Sequence, residues 1–137
     1  MTEINIVVKG RIPSKKNGKI MICRGTRPIL ISSAEFQAWN TEQLWLLKRL
    51  GALQLKEVAS IDVTFYAPDK RKADLTNKVE GLMDLLVDAG ILEDDNWFVV
   101  PNLLLHFKGV DTQSPRAEII IQKTTRGDGS LRDLKNK

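Results

Sequence analysis

Residues 59–96, ASIDVTFYAPDKRKADLTNKVEGLMDLLVDAGILEDDN, run in the order strand, basic loop, helix, acidic turn, and that order decides the fold class. From Ala59 to Tyr66 apolar and polar residues alternate, with Ile61, Val63 and Phe65 on one side, as in a strand that buries one face. Pro68 to Ala73 is a loop carrying Lys70, Arg71 and Lys72. From about Leu75 to Ala89 the residues Leu75, Val79, Leu82, Met83 and Leu86 recur at helical spacing and form a buried stripe, which Gly90 ends. Glu93 to Asn96 is an acidic turn.

Working outward, Ile4, Ile6 and Val8 read as a first strand and Gly10 to Gly18 as a polar loop. Ile20-Met21-Ile22 and Ile29-Leu30-Ile31 flank Gly25 and Pro28 as the arms of a hairpin. Ser32-x-x-Glu35 has the capping-box pattern, and Phe36, Trp39, Leu44, Leu47 and Leu50 continue at helical spacing to Gly51. Trp97 to Phe107 and Ala117 to Gln122 read as two closing strands. The sequence therefore predicts a single α+β domain over residues 1–123, with a mixed β-sheet of about five to six strands and two main helices. A basic, mobile tail is expected over residues 124–137, with Arg126, Arg132, Lys135 and Lys137. No internal repeat or second domain is visible.

A chain of 137 residues, 42% hydrophobic and 28% charged, can bury one core and keep a charged surface. No run approaches the ~18 apolar residues of a membrane span, so no membrane partner is expected. The start, Met1-Thr2-Glu3-Ile4-Asn5, lacks a signal-peptide pattern, and Cys23 is the sole cysteine, so a reducing, cytoplasmic setting is expected. One cysteine and one histidine (His106) exclude a Cys/His zinc cluster, which leaves oxygen ligands and hard cations such as Mg²⁺, Mn²⁺ or Ca²⁺. The net charge of +4 is unevenly spread. Residues 74–95 hold seven acids and one base, a charge of −6, and the rest of the chain carries +10. From Ile4 to Ala34 there are seven bases and no acid. A basic body around an acidic segment suits a metal-dependent nuclease, in which bases bind phosphates and carboxylates hold the cation. The plainer reading is a basic protein with one acidic helix.

The second helix sends Asn77, Glu80, Asp84 and Asp88 away from its apolar stripe, with Asp74 at its start and Asp94 and Asp95 beyond its end. If the chain folds back, Asp74 and Asp95 converge on one hard cation. Mg²⁺ needs only two or three carboxylates, because it keeps several waters and takes substrate oxygens. Each residue has a plainer reading too: Asp74 as a helix cap, Asp94 and Asp95 as a solvated turn, Asp84 and Asp88 as a wet helix face. His106 and Cys23 read as ordinary strand and hairpin residues, Trp45 lies off the helix stripe, and Trp97 reads as strand packing, with base stacking as the second choice.

The stretch Ala67-Pro-Asp-Lys-Arg-Lys-Ala-Asp-Leu-Thr-Asn77, followed by Asp84-Leu-Leu and Ala89-Gly-Ile-Leu-Glu-Asp-Asp-Asn96, resembles the signature of the RusA family of Holliday junction resolvases. Pro13-Ser-Lys-Lys-Asn17 and Ile31-Ser-Ser are similar to it as well, so the likeness covers roughly residues 4–122. It implies a homodimer of α+β subunits that makes paired cuts in branched DNA, the four-way junction, with Mg²⁺, or Mn²⁺ in its place, held by aspartates. Asp74 and Asp95 match two of the family's essential acids. The third aspartate of the best-known members is replaced here by Thr76, and their active-site lysine by Glu80. Glu80 is one helical turn away and could restore a carboxylate, with Asn77 and Asp94 as further ligand candidates. Lys15, Lys16, Lys70, Arg71, Lys72 and Lys78 are the expected DNA-binding residues. The expected function is a Mg²⁺-dependent junction-resolving endodeoxyribonuclease of a bacterial or phage-infected cell. The alternatives are a catalytically impaired, structure-selective DNA-binding protein and a general flap or fork nuclease.

Overall fold

A computed structural model describes residues 3–13, 19–32 and 34–124. Lys15 and Lys16, the residue Ser33 inside the capping-box pattern, and the tail from residue 125 lie outside the described residues. Six strands and two α-helices follow one another as β1 (Glu3–Lys9), β2 (Lys19–Arg24), β3 (Arg27–Ser32), α1 (Ala34–Leu47), β4 (Val58–Ala67), α2 (Leu75–Asp88), β5 (Leu103–Val110) and β6 (Arg116–Lys123). The α+β class and the two main helices are as the sequence predicts. The six strands divide between a four-stranded sheet in the order β1-β6-β4-β5 and a separate β2-β3 hairpin. β4 and β5 are parallel, with α2 in the crossover between them, while β6 pairs antiparallel with both β1 and β4.

The period-2 pattern of β4 does what alternation dictates: Ile61, Val63 and Phe65 are buried beside Ala117, Ile119 and Ile121 of β6 and Ile6 and Val8 of β1. Against this face α2 sets Val79, Leu82, Met83 and Leu86 in one core cluster. Gly81 lets α1 approach α2, since a Cβ there would lie 3.2 Å from the Phe36 ring. Gly90, at φ 76°, ends α2 in a conformation that side chains disfavour, with the Ile91 N–H returning to the Leu86 carbonyl at 3.0 Å. Along α1 Phe36 and Leu47 are buried and Trp39 and Leu44 half-buried, while Leu50 has turned out to solvent in a short 3₁₀ turn.

One expected strand starts late. Trp97 to Val99 form a turn, and the strand begins at Leu103. Asn96 is the cause: its side-chain oxygen accepts the N–H groups of Phe98 (3.0 Å) and Val99 (3.2 Å), and its carbonyl accepts that of Val100 at 2.9 Å. These bonds hold backbone donors that a ladder would need, and Pro101 follows. Trp97 is consequently 77% exposed rather than packed in a strand.

Candidate functional site

At the N-terminal end of α2 the chain after β1 meets a segment distant from it in sequence, the loop after β4 that runs into the first turn of the helix. The Lys78 ammonium donates to the Ile12 carbonyl at 2.5 Å and so ties α2 to the chain after β1. Lys78 is half-buried, and burial, then the nearby Arg11 charge, pull its pKa below the ordinary lysine value, against an opposing pull from Glu35 and Asp69. In the loop after β4, Asp69 accepts the Arg71 backbone N–H at 3.0 Å and the Arg71 guanidinium at 3.0 and 3.1 Å, and it also pairs with Arg11. Those two guanidiniums, Arg71 first, hold the Asp69 carboxyl far below the usual carboxylate range.

Together these segments line a cavity of about 930 Å³ whose walls include Arg11, Lys70, Arg71, Lys72, Asp74, Asn77 and Lys78, with Tyr66 and Phe107 supplying aromatic surface. Asp74 occupies the N-cap position of α2, yet its side chain makes no capping bond to the helix N–H groups. Its carboxylate instead accepts the Asn77 side-chain amide at 3.3 Å. A carboxylate that caps no backbone N–H of the helix it precedes keeps lone pairs for a ligand, so the cap reading of Asp74 does not describe its side chain.

Asp94 and Asp95 form a second acidic group, outside the cavity lining. The segment after α2 is stitched to the chain before β4 by the bonds Leu55 N–H to Ile91 O (3.0 Å) and Glu93 N–H to Leu55 O (3.0 Å). Asp94 then accepts the Asp95 backbone N–H at 2.8 Å and the Asn96 amide at 2.9 Å. Burial, followed by the Asp94 and Asp84 carboxylates, raises the Asp95 pKa above the ordinary aspartate value. The charges acting most on Asp95 are thus Asp94 and Asp84, not Asp74. Glu80 is exposed on α2 and is not part of the cavity lining.

The structure therefore brings Asp74, Asn77, Lys70, Arg71, Lys72 and Lys78 to one cavity and leaves Asp94 and Asp95 outside its lining, with Asp84 acting on Asp95 as a like charge. Among the described residues, no three His, Cys, Asp or Glu side chains are grouped as a metal site. Sequence reasoning overlooked Arg11 and Asp69 as site residues. The Pro68-Asp69 pair signals a turn, but nothing local announces that Asp69 meets a residue 58 positions away. It also read Asp84 as wet helix surface, although the carboxylate acts on Asp95.

No family model matches the chain. Among curated proteins, the chain is similar to the crossover junction endodeoxyribonuclease RusA of Aquifex aeolicus (strain VF5), with 26% identity over 101 residues, 70% of this chain and 75% of that protein. The resemblance carried by the motifs is borne out by this relative. Among the described residues no helix is long and apolar enough to cross a membrane.

Proposed function

We propose, with this likeness to the RusA family as premise, that the protein is a Mg²⁺-dependent endodeoxyribonuclease that resolves four-way DNA junctions by paired phosphodiester hydrolysis in recombination and repair. The observation that carries the reading is the Asp74 carboxylate, which caps no backbone N–H of α2 and is set in a cavity walled by Arg11, Lys70, Arg71, Lys72 and Lys78. A single cavity that offers a hard oxygen ligand and several cations suits a phosphodiester better than a neutral or cationic substrate.

In this reading Lys70, Arg71 and Lys72 take the phosphate backbone and orient it across the cavity. The proposed metal ligands are Asp74, with Asn77 beside it at the cavity, and Asp94 and Asp95 in the turn after α2, with Glu80 on the exposed side of the helix as a further candidate. The oxygen donors suit a hard cation, and the mutual repulsion that raises Asp95 is the kind a divalent ion relieves. Bound Mg²⁺ supplies the positive charge that hydrolysis of an anionic diester requires. Asn77 holds the Asp74 carboxylate by its amide, and Lys78 anchors the first turn of α2 through Ile12. A homodimer, the proposed working form, brings two matched sites to the nearly two-fold symmetric junction. Edge strand β5 leaves Leu103 and Leu104 exposed on its two faces, apolar edge surface of the kind a second copy covers. A reducing cytoplasm, bacterial or phage-infected, is the proposed setting.

Two results follow from the assignment of the cations and of Glu80. Junction binding should weaken steeply with salt, and neutralising Lys70, Arg71 and Lys72, or Lys15 and Lys16, should reduce the logarithmic slope by roughly one per lost phosphate contact. An unchanged slope moves the DNA surface elsewhere. Glu80→Gln should raise the Mg²⁺ concentration for half-maximal cutting by about tenfold, because an amide holds a hard cation less well than a carboxylate. Cutting like wild type across a Mg²⁺ titration returns Glu80 to the solvated helix face.

Thr76 and Glu80, which stand where relatives carry an aspartate and a lysine, favour a second reading: a structure-selective DNA-binding protein with impaired catalysis. A third is a general flap or fork nuclease. Comparing cleavage of a four-way junction, a flap, a fork and a linear duplex separates them. The proposal expects paired cuts in the junction and little in the others; equal cutting of flaps supports the third, and binding without cutting the second.

A further inference from the structure

We infer that Asp69 is a positioning residue for phosphate recognition, whose carboxylate locks Arg11 and Arg71 into one two-guanidinium clamp at the wall of the cavity. The inference rests on reading that cavity as the DNA surface. Both Asp69 oxygens are occupied: Oδ1 accepts the Arg71 backbone N–H at 3.0 Å, and Oδ2 accepts Arg71 Nη2 at 3.0 Å, Arg71 Nε at 3.1 Å, and Arg11 Nη2. One carboxylate therefore fixes two long side chains, one of them 58 residues away from Asp69 in sequence. Without it the two guanidiniums would repel each other and the neighbouring Lys78, on which both act as like charges. With it the pair keeps a net positive charge. The Arg71 side chain remains 75% exposed, and its Nη1 group is not used by Asp69, so a phosphate oxygen can still reach it. Fixing such side chains before DNA arrives removes part of the ordering cost of binding.

Plain electrostatics makes the opposite forecast. Deleting a negative charge from a basic surface should tighten DNA binding, whereas deleting a positioning carboxylate should weaken it. Junction affinity is measured across a salt series for the full chain and for Asp69→Asn, Asp69→Ser, Arg11→Gln and Arg71→Gln, with melting curves on the same samples. Asp69→Ser keeps an acceptor suited to the turn but loses the charge, so it separates the turn from the clamp. Both Asp69 variants are expected to weaken binding by about tenfold and to lower the salt slope by about one. In cleavage assays they should raise KM while leaving kcat near the wild-type value, because the reacting centre is not touched. Asp69 variants that bind as tightly as wild type or tighter, while the arginine variants bind weakly, overturn the clamp and leave the DNA surface standing. If all four bind like wild type, the cavity is not the DNA surface and both readings fail.

Discussion

Asp74→Asn is expected to lower junction cleavage by at least about a hundredfold while junction binding holds or tightens. The exchange conserves volume and removes one charge, so the fold should be indifferent to it: the side chain is exposed and makes no cap bond that the helix would miss. It removes an anionic ligand for a hard cation and, with it, some repulsion of the approaching phosphates. The two effects act in opposite directions on catalysis and on affinity, which makes the result diagnostic. Asp95→Asn should behave alike, with one added feature. Asp95 is pressed by burial and by Asp94 and Asp84, so its neutralisation also relieves a standing repulsion, and the variant should melt no lower than wild type. Rates are read on a labelled junction under single-turnover conditions and binding on the same junction without metal. Full cleavage by either variant takes that residue out of the site.

The second large effect is on stability. Leu82→Ala should cost about 2–5 kcal/mol, the range for truncating a fully buried leucine whose surroundings cannot collapse into the space. Leu82 is 0% exposed and lies in one cluster with Ile61, Val63, Leu86 and Ile119, between α2 and the sheet. The same helix carries Asp74 at its start and Asp84 on its open side, so loosening it also loosens the site. The check is a shift of the urea midpoint with the slope unchanged. A loss below about 1 kcal/mol would mean that α2 is not packed on β4 and β6 as described.

What could be read in advance follows from the range of the interactions involved. β4 and α2 were legible because periods of two and 3.6 are properties of a single segment: Ile61, Val63 and Phe65 in one case, Val79, Leu82, Met83 and Leu86 in the other. The contact of Asp74 with Asn77 was within reach for the same reason, being one helical turn long. The late start of β5 was not, because the apolar run after Asn96 looks extended until the Asn96 side chain takes the N–H groups of Phe98 and Val99. The separation of β2 and β3 from the main sheet depends on which strands pair, and pairing is tertiary. The link from Asp84 to Asp95 needs the return path stitched through Leu55, and the link from Asp69 to Arg11 needs two loops to meet; neither leaves a mark on spacing.

The central claim is metal-dependent cutting of a branched substrate, and the most direct measurement is incubation of the full-length wild-type chain with a labelled four-way junction, with Mg²⁺ across a concentration series and with a chelator. The account predicts cuts on opposed strands that appear with Mg²⁺, vanish with the chelator and return when Mg²⁺ or Mn²⁺ is added back. A chain that binds the junction but leaves it intact at every concentration of either metal would contradict it.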